Sequence, residues 1–311
     1  MSLVETAART LPDGALRGLG DARHRVFEVR GLRLHAVEAG PAEGPLLVLL
    51  HGFPEFWYGW RHQIAPLAEA GFRVLALDQR GYNVSSKPRG VAAYNLDELA
   101  GDVAVVIAEA AGSAGSGGSD SRAFLVGHDW GGAVAWWTAL RFPDRVARMA
   151  VLNMPHPAVM QAAVRHDRAQ RRRSLYIAFF QIPWLPERLL RARDWAALEK
   201  AMRASGRPDA FTDSDFAHYR RAWEQPGALP AMLAWYRAAL RARPVASLRQ
   251  RVTVPTLLLW GARDTALRRE LARPSVQLCD RGHLVFLEEA THWLHHEEPG
   301  RVNPLLADFF E

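Results

Sequence analysis

The sequence predicts an α/β protein with a mainly parallel central sheet flanked by helices and an α-helical cap inserted into it. In the first half of the chain, short apolar segments of strand length alternate with segments of helix length, which is typical of a parallel sheet covered by helices. From about residue 155 to residue 243 the strand pattern stops, and the chain becomes helical and rich in arginine and aromatic residues. The strand pattern resumes at residues 256–260, which indicates a helical insertion within one α/β core.

Short apolar segments mark the predicted strands, and longer mixed segments mark the predicted helices. The strands are predicted at residues 33–38, 46–50, 73–78, 123–127, 148–153, 256–260 and 284–288, and the helices at 61–70, 96–111 and 132–142. The chain then divides into the first part of the core at 1–154, the cap at 155–244 and the second part of the core at 245–311. Because ligands bind at the carboxyl ends of parallel strands in such sheets, we expect the cap to cover that edge.

Composition excludes several classes of protein. The chain has 311 residues, of which 49% are hydrophobic and 23% are charged, so it is too apolar for a disordered protein. No stretch approaches the roughly 18 consecutive apolar residues of a membrane span, and the first residues lack the pattern of a signal peptide. The single cysteine, Cys279, has no partner for an internal disulfide. We therefore expect a cytoplasmic protein without a membrane span.

Basic residues outnumber acidic ones, 39 to 33, which raises the question of a nucleic acid or an acidic lipid as partner. The densest basic run consists of Arg165, Arg168, Arg171, Arg172 and Arg173. The run lacks interleaved aromatic residues and any known nucleic-acid-binding motif. We therefore interpret it as a solvated helix face and expect no nucleic-acid partner.

Two further segments invite a search for ligand sites, and neither supports one. Residues 112–121 are rich in Gly and Ser, but they lack the Gly-Lys-Ser/Thr ending of a phosphate loop and precede a strand, so we interpret them as a flexible surface connection. His295, His296, Glu297 and Glu298 could suggest a metal cluster. Adjacent residues on a helix point apart, so we expect no metal site there.

The segment most informative about chemistry is residues 124–132, Phe-Leu-Val-Gly-His-Asp-Trp-Gly-Gly. A predicted strand runs into Gly-x-Asp-x-Gly and then into a predicted helix, which is the pattern of a nucleophile elbow with Asp129 where most such sequences have Ser. The small residues Gly127 and Gly131 permit the sharp turn. An ordinary turn could contain the same residues, but the flanking strand and helix favour the elbow.

With this elbow the chain resembles the α/β-hydrolases of the epoxide hydrolase family, from about Phe27 to the C-terminus. The motifs that carry the resemblance are HGFPEFWYGWRHQ at 51–63, DQRGYNVSS at 78–86, GHDWGG at 127–132, WGARD at 260–264 and THW at 291–293. Each motif alone is modest evidence, whereas their order and spacing together are specific. The resemblance implies the α/β-hydrolase fold and an enzyme that needs no cofactor and acts on a small hydrophobic epoxide and water.

The resemblance also implies the principal catalytic residues. Asp129 is expected to be the nucleophile, His292 the base and Asp264 the acid that orients the histidine, in the chain order that this fold uses. Some relatives carry the acid one strand earlier, but this chain has Asn153 there, which has no anionic form. Asp280 is a weaker candidate for the acid because no predicted strand leads into it.

Four further positions match the family. The backbone N–H groups of Phe53 and Trp130 are expected to form the oxyanion hole, and the Phe53-Pro54 peptide bond is cis in family members. Tyr176 and Tyr236 match the paired cap tyrosines that polarise the epoxide oxygen. One departure is Asn83, where relatives often have Gly; asparagine tolerates the left-handed conformation better than other residues, so the turn can survive.

The chemistry expected of an aspartate nucleophile leaves two leaving groups open. A carboxylate is suited to displacement at an sp³ carbon, where it forms an alkyl ester that activated water then hydrolyses. A departing alkoxide needs a proton, which the two tyrosines can supply, so an epoxide is favoured over a halide. A haloalkane dehalogenase with the same nucleophile is the alternative, and Phe53 weakly opposes it because many dehalogenases place Asn there.

Two other possibilities complete the sequence-based expectations. A ligand-binding protein without activity could use the same scaffold, but an intact set of Asp129, Asp264 and His292 argues against it. A homodimer stays open as an assembly, because no sequence pattern decides the oligomeric state.

Overall fold

A computed structural model describes residues 15–112, 122–241 and 251–311. Within these ranges eight strands form one sheet, in the spatial order β1-β2-β4-β3-β5-β6-β7-β8. The strands are β1 (Arg23–Val29), β2 (Leu32–Ala39), β3 (Leu46–Leu50), β4 (Arg73–Leu77), β5 (Ala123–His128), β6 (Val146–Leu152), β7 (Thr256–Gly261) and β8 (Gly282–Leu287). Strand β2 pairs antiparallel with β1 and β4, and the other pairs are parallel. The predicted fold class, with its mainly parallel sheet, is confirmed.

All seven predicted strands are present, with ends that differ from the predicted ones by at most two residues. Strand β1 was not predicted, because charged residues interrupt its apolar pattern. Its arginines reach the neighbouring strand, since Arg23 Nη2 and Arg25 Nη1 lie 2.9 and 2.8 Å from the carboxylate oxygens of Glu38. The central strands β3 and β4 are buried along their whole length, as expected for strands covered on both faces.

Helices cover the sheet and separate β6 from β7. The three predicted helices correspond to α1 (Ile64–Glu69), α2 (Leu96–Gly112) and α3 (Trp130–Arg141). Between β6 and β7 lie α4 (Pro157–His166), α5 (Arg168–Arg173), α6 (Leu175–Phe179), α7 (Leu185–Ser205), α8 (Asp213–Trp223) and α9 (Ala228–Arg241). Helix α7 is interrupted at residues 192–195, whose backbone angles are not helical. The chain ends with α10 (Ala272–Val276), α11 (Leu294–Glu297) and α12 (Pro299–Phe310).

Hydrogen bonds attach α8 and α9 to loops that follow the sheet strands. The indole of Trp223 on α8 donates to the Pro54 carbonyl oxygen at 2.6 Å, and the indole of Trp235 on α9 donates to the Arg80 carbonyl oxygen at 3.2 Å. Both indoles are buried. These contacts hold α9 over the carboxyl ends of the strands, where the sequence predicts the cap.

The boundaries 1–154, 155–244 and 245–311 stay a prediction, since parts of them fall outside the described residues. The predicted flexible connection at 112–121 also lies outside them, apart from Gly112 at the end of α2. In the part of the chain that the structure describes, every helix is too short or too polar to cross a membrane.

Candidate active site

Asp129 occupies the sharp turn between β5 and α3. Its backbone φ is 50°, in the left-handed region that residues other than glycine seldom adopt. A Cβ atom on Gly127 would lie 2.3 Å from the carbonyl oxygen of Gly131, and a Cβ atom on Gly131 would lie 2.0 Å from that of Leu50. Only glycine fits at both flanking positions, and this is why the Gly-x-Asp-x-Gly pattern can form the elbow.

Asp264 follows β7, and His292 lies in the loop after β8. His292 Nδ1 lies 2.7 Å from Asp264 Oδ2, and His292 Nε2 lies 3.5 Å from Asp129 Oδ2. The structure thus brings the three predicted residues together at the carboxyl edge of the sheet, with the histidine between the two carboxylates. The weaker candidate, Asp280, instead pairs with Arg251 at 2.9 Å, and both of these side chains are exposed.

Asn153 supports Asp264, a contact to which no sequence pattern pointed. The side-chain amide of Asn153 donates to Asp264 Oδ2 at 2.6 Å, and its Oδ1 accepts from the Gly261 N–H at 2.7 Å. Asp264 Oδ1 accepts from the backbone N–H groups of Ala266 and Leu267 at 2.7 and 2.8 Å. Asn153, which occupies the position where some relatives carry the acid, therefore holds Asp264 in place from the neighbouring strand.

Of the two predicted oxyanion donors, Phe53 lies beside the Asp129 carboxylate and Trp130 begins the helix that follows Asp129. The Phe53 N–H donates to Asp129 Oδ1 at 2.9 Å, and the Phe53-Pro54 peptide bond is cis. Trp130 is the first residue of α3, so its N–H belongs to the helical turn whose amides have no partner within the helix. A Cβ atom on Gly52 would lie 2.7 Å from Asp129 Oδ1, so the chain approaches the carboxylate closely at this point.

The rings of Tyr176 on α6 and Tyr236 on α9 pack edge-on against each other, with ring centroids 5.8 Å apart. The Tyr236 ring packs edge-on against Trp130 at 5.0 Å and against Phe53 at 5.2 Å. Phe180 completes this aromatic group at 5.0 Å from Tyr236. The structure therefore places Tyr236 next to Phe53 and Trp130, and Tyr176 next to Tyr236.

The charges of the three core residues stabilise one another. Burial alone would raise the pKa of Asp129, but the hydrogen bond with His292 and the histidine's charge outweigh it, so the pKa lies below its usual range. The pKa of Asp264 is lowered against burial, mainly by the charge of His292. Burial would lower the pKa of His292, yet the charge of Asp264 and hydrogen bonds with both carboxylates hold it well above its ordinary value. The resting site therefore favours an ionised Asp129 and a protonated His292.

Both cap tyrosines are held in the protonated form. Burial around the Tyr236 hydroxyl raises its pKa well above the ordinary value, and the nearby Tyr176 and Asp129 add to the shift. Burial around the Tyr176 hydroxyl, together with the charge of Asp129, raises the pKa of Tyr176 too. The residue as a whole is 41% exposed, so its exposed part lies away from the hydroxyl. Each phenol can therefore donate a proton at neutral pH.

A buried cluster next to His292 was not evident from the sequence. Glu55 Oε1 lies 2.7 Å from His296 Nε2, and Glu55 Oε2 lies 3.3 Å from His128 Nδ1 and 3.5 Å from His295 Nε2. The other ring nitrogen of His128 lies 2.9 Å from the backbone carbonyl oxygen of His292. The signal that could have found the cluster is a glutamate in the HGFPE segment, two residues beyond Phe53.

The expectation that His295 and His296 point apart is wrong. Their ring centroids are 4.1 Å apart, because α11 is a single helical turn and both side chains turn toward Glu55. Among the described residues, Glu55, His295 and His296 form the group that could hold a metal, with ligand atoms within 4.8 Å of one another. Glu55 Oε1 lies 2.7 Å from both His296 Nε2 and the Tyr219 hydroxyl, which are hydrogen-bond distances, so a site without metal stays our prediction.

Asn83, the departure from the family pattern, adopts the left-handed conformation with a φ of 44°. Its side-chain amide donates to Asp78 Oδ2 at 2.7 Å, which anchors the loop. The turn therefore keeps its geometry without glycine.

Comparisons with known proteins match this chain in sequence and in fold. The family described as having the alpha/beta hydrolase fold matches residues 45–299. The AB hydrolase superfamily protein YfhM of Bacillus subtilis is 46% identical over 90% of this chain and 95% of its own length, and epoxide hydrolase 4 of Homo sapiens is 38% identical over 98% and 83%. The crystal structure of an epoxide hydrolase from Bacillus megaterium with an inhibitor has a TM-score of 0.81 and 31% identity, covering 92% of this chain and 99% of that one.

Proposed function

This chain belongs to the alpha/beta hydrolase fold family, and we propose that it hydrolyses epoxides to vicinal diols through a covalent ester on Asp129. Relatives and structural neighbours named as epoxide hydrolases support the reaction. The observation that carries the proposal is the packing of the Tyr236 ring against Phe53, whose N–H binds Asp129, with the Tyr176 ring 5.8 Å from that of Tyr236.

In the first step a carboxylate oxygen of Asp129 attacks an epoxide carbon, and the bond from that carbon to the ring oxygen breaks. Oδ1 accepts the Phe53 N–H, so Oδ2 is the oxygen available for attack. The departing oxygen takes its proton from Tyr176 or Tyr236, since an alkoxide is far more basic than a phenolate. The product of this step is an alkyl ester of Asp129.

In the second step water attacks the ester carbonyl carbon and gives a proton to His292, and the tetrahedral intermediate collapses by breaking the bond between that carbon and the diol oxygen. The two protons that water supplies pass to the departing diol oxygen and to the tyrosine phenolate, which leaves Asp129 as a carboxylate again. Esterification removes the negative charge of Asp129, which is one of the two charges that raise the His292 pKa. The histidine therefore becomes a better base once the ester has formed, while Asp264 stays in place to stabilise the imidazolium. The N–H groups of Phe53 and Trp130 stabilise the charge that develops on the Asp129 oxygen.

Single-turnover reaction in ¹⁸O-water tests the ester. The label should enter the Asp129 carboxylate, which mass spectrometry of the peptide around residue 129 detects, and the diol of the first turnover should carry none. Label found only in the diol would mean direct attack by water and would refute the ester.

A parallel substrate panel separates the epoxide from the halide. An aryl epoxide and a haloalkane are offered to the same preparation, with diol formation and halide release measured side by side. Diol formation with little halide release supports the proposal. Halide release as the faster reaction would identify a dehalogenase instead.

A further inference from the structure

Exposed large apolar side chains are confined to one region of the described chain. They are Leu175, Tyr176, Ile182, Trp184, Leu189 and Leu240, and all lie between residues 175 and 240. Isolated exposed apolar residues are ordinary on a protein surface, whereas a group of them indicates an interaction surface. The rest of the described surface contains no comparable residue.

Hydrogen bonds of Arg237 join the segments that carry several of these residues. Its guanidinium donates to the carbonyl oxygens of Phe180 and Ile182 and to Glu187 Oε1, and so joins α9, the 180–184 loop and the first turns of α7. Leu240 lies about one helical turn beyond Arg237, and Ile182 and Trp184 lie in the loop that Arg237 binds. We call Ile182, Trp184 and Leu240 the apolar cap patch.

Trp184 stands out within the patch. Its side chain is 73% exposed, and its backbone φ is 52°, in the left-handed region that is unfavourable for a residue with a side chain. The loop therefore holds a large indole outside the protein, away from the apolar interior that would usually bury it.

Arginines flank Ile182 and Trp184 in the sequence. Residues 168–193 include Arg168, Arg171, Arg172, Arg173, Arg188, Arg191 and Arg193, and the only acidic residue within this stretch is Glu187, while Asp167 and Asp194 at its two ends pair with Arg268 and Arg220. Glu187 is already paired with Arg237 at 2.7 Å. Arg171, Arg172, Arg188 and Arg193 are exposed, and none of them forms an ion pair with another described residue. The segments on both sides of the loop therefore carry unneutralised positive charge, and we call these exposed arginines the arginine rim.

We propose that the apolar cap patch docks on the surface of an anionic phospholipid bilayer. Tryptophan is favoured at the boundary between head groups and acyl chains, and leucine and isoleucine add apolar area there. Arginines at the rim attract anionic head groups, and each contributes to binding near the surface. A second copy of the chain fits the same patch less well, because two-fold symmetry would place two arginine rims against each other.

Docking would bring the active-site entrance to the lipid. Tyr176 is 41% exposed and lies 5.8 Å, ring to ring, from the buried Tyr236, so it stands at the border between the solvent-facing side of the cap and the catalytic site. Apolar epoxides partition into a bilayer, and a docked enzyme would meet them there. This consequence rests on the proposed function, whereas docking itself does not.

Vesicle co-sedimentation tests the docking without any turnover. The full chain is mixed with vesicles of phosphatidylcholine alone or of phosphatidylcholine and phosphatidylglycerol at 7:3, at low and at high salt. We expect binding to the anionic vesicles that weakens at high salt. R171E/R172E should weaken it at least about tenfold, and W184S about fivefold to tenfold. The matched control is R273E/R281E, which reverses two exposed charges outside the cap and should bind as the parent does.

Each other outcome overturns the proposal. Failure of the parent protein to bind anionic vesicles, or equal loss of binding in the control, would refute docking through this patch. A concentration-dependent dimer in light scattering that W184S dissociates, without vesicle binding, would assign the patch to a second copy. Epoxide turnover of W184S in detergent-free buffer is measured separately, so a failure of docking stays distinct from a failure of the proposed reaction.

Discussion

The core half and the cap half of the site are built in different ways. Asp129, Asp264 and His292 follow strands of the sheet, and hydrogen bonds to backbone groups and to Asn153 fix both carboxylates. Tyr176 and Tyr236 sit on cap helices and are placed by aromatic contacts 5 to 6 Å between ring centroids. In the core half, hydrogen bonds therefore fix the reacting carboxylates directly, whereas in the cap half ring packing positions the phenols.

This contrast suggests a division of labour. Chemistry that develops charge needs donors held in place before the reaction, which the sheet edge supplies. Proton donation needs a phenol within reach of the departing oxygen, and the cap supplies two. Changes in the core half should therefore abolish a step, and changes in the cap half should reduce it by degrees.

The largest effect is expected from His292→Gln, which breaks the core half. Ester formation needs no base and should persist, while hydrolysis should slow by about 10³–10⁴-fold because no group takes the proton from water. Intact-protein mass spectrometry should show a trapped adduct after mixing with an aryl epoxide. His283→Gln, an exposed histidine on β8, is the control and should leave no adduct. Normal turnover of His292→Gln would show that another group is the base.

The next largest effect tests the cap half. Tyr176→Phe and Tyr236→Phe should each lower the alkylation rate with an epoxide by about 10²–10³-fold, and the double variant should lose nearly all ring opening. A haloalkane needs no proton for its leaving group, so any alkylation by a haloalkane should be much less affected. Tyr94→Phe, whose hydroxyl binds the Pro88 carbonyl oxygen instead, is the control. A double variant within a few-fold of the parent would remove the reason for preferring an epoxide.

A smaller effect is expected from Asn153→Ala, which loosens the core half without removing a reacting group. Loss of a hydrogen bond to a buried carboxylate costs about 1.5–3 kcal/mol, so the free energy of unfolding should fall by about 2 kcal/mol and kcat by about tenfold. Urea denaturation and steady-state kinetics measure the two. Unchanged kcat with reduced stability would show that Asn153 supports the fold and does not orient Asp264.

The smallest effect concerns the influence of the Asp129 charge on the pKa of His292. Asp129→Asn mimics the loss of charge on esterification, so the pKa of His292 should fall relative to the parent. A raised pKa means that the protonated histidine stabilises the folded state fully below the unfolded value of about 6.5, and that this contribution is lost as the pH rises through the folded-state pKa. In the variant that loss should occur at lower pH. NMR titration of His292 and urea denaturation as a function of pH check this, and an unchanged pKa would contradict it.

Most of the sheet and the core half of the site could be predicted from the sequence. Asp129, Asp264 and His292 each follow a short apolar strand, and the carboxyl ends of neighbouring parallel strands meet at one edge. Strand β1 was missed because its arginines mask the apolar pattern. The turning of His295 and His296 toward Glu55 was missed because α11 is one turn long, too short for the side-chain directions of a regular helix to apply.

Local sequence determined the elements whose geometry depends on neighbouring residues. Gly127 and Gly131 determine the elbow because no larger residue fits there, and the apolar strands determine the sheet because both of its faces are buried. Only the tertiary structure decided the contact of Asn153 with Asp264, the pairing of Tyr176 with Tyr236 across two helices, and the exposure of Trp184. These features join residues that are distant in the chain or depend on solvent access, and no local pattern encodes either property.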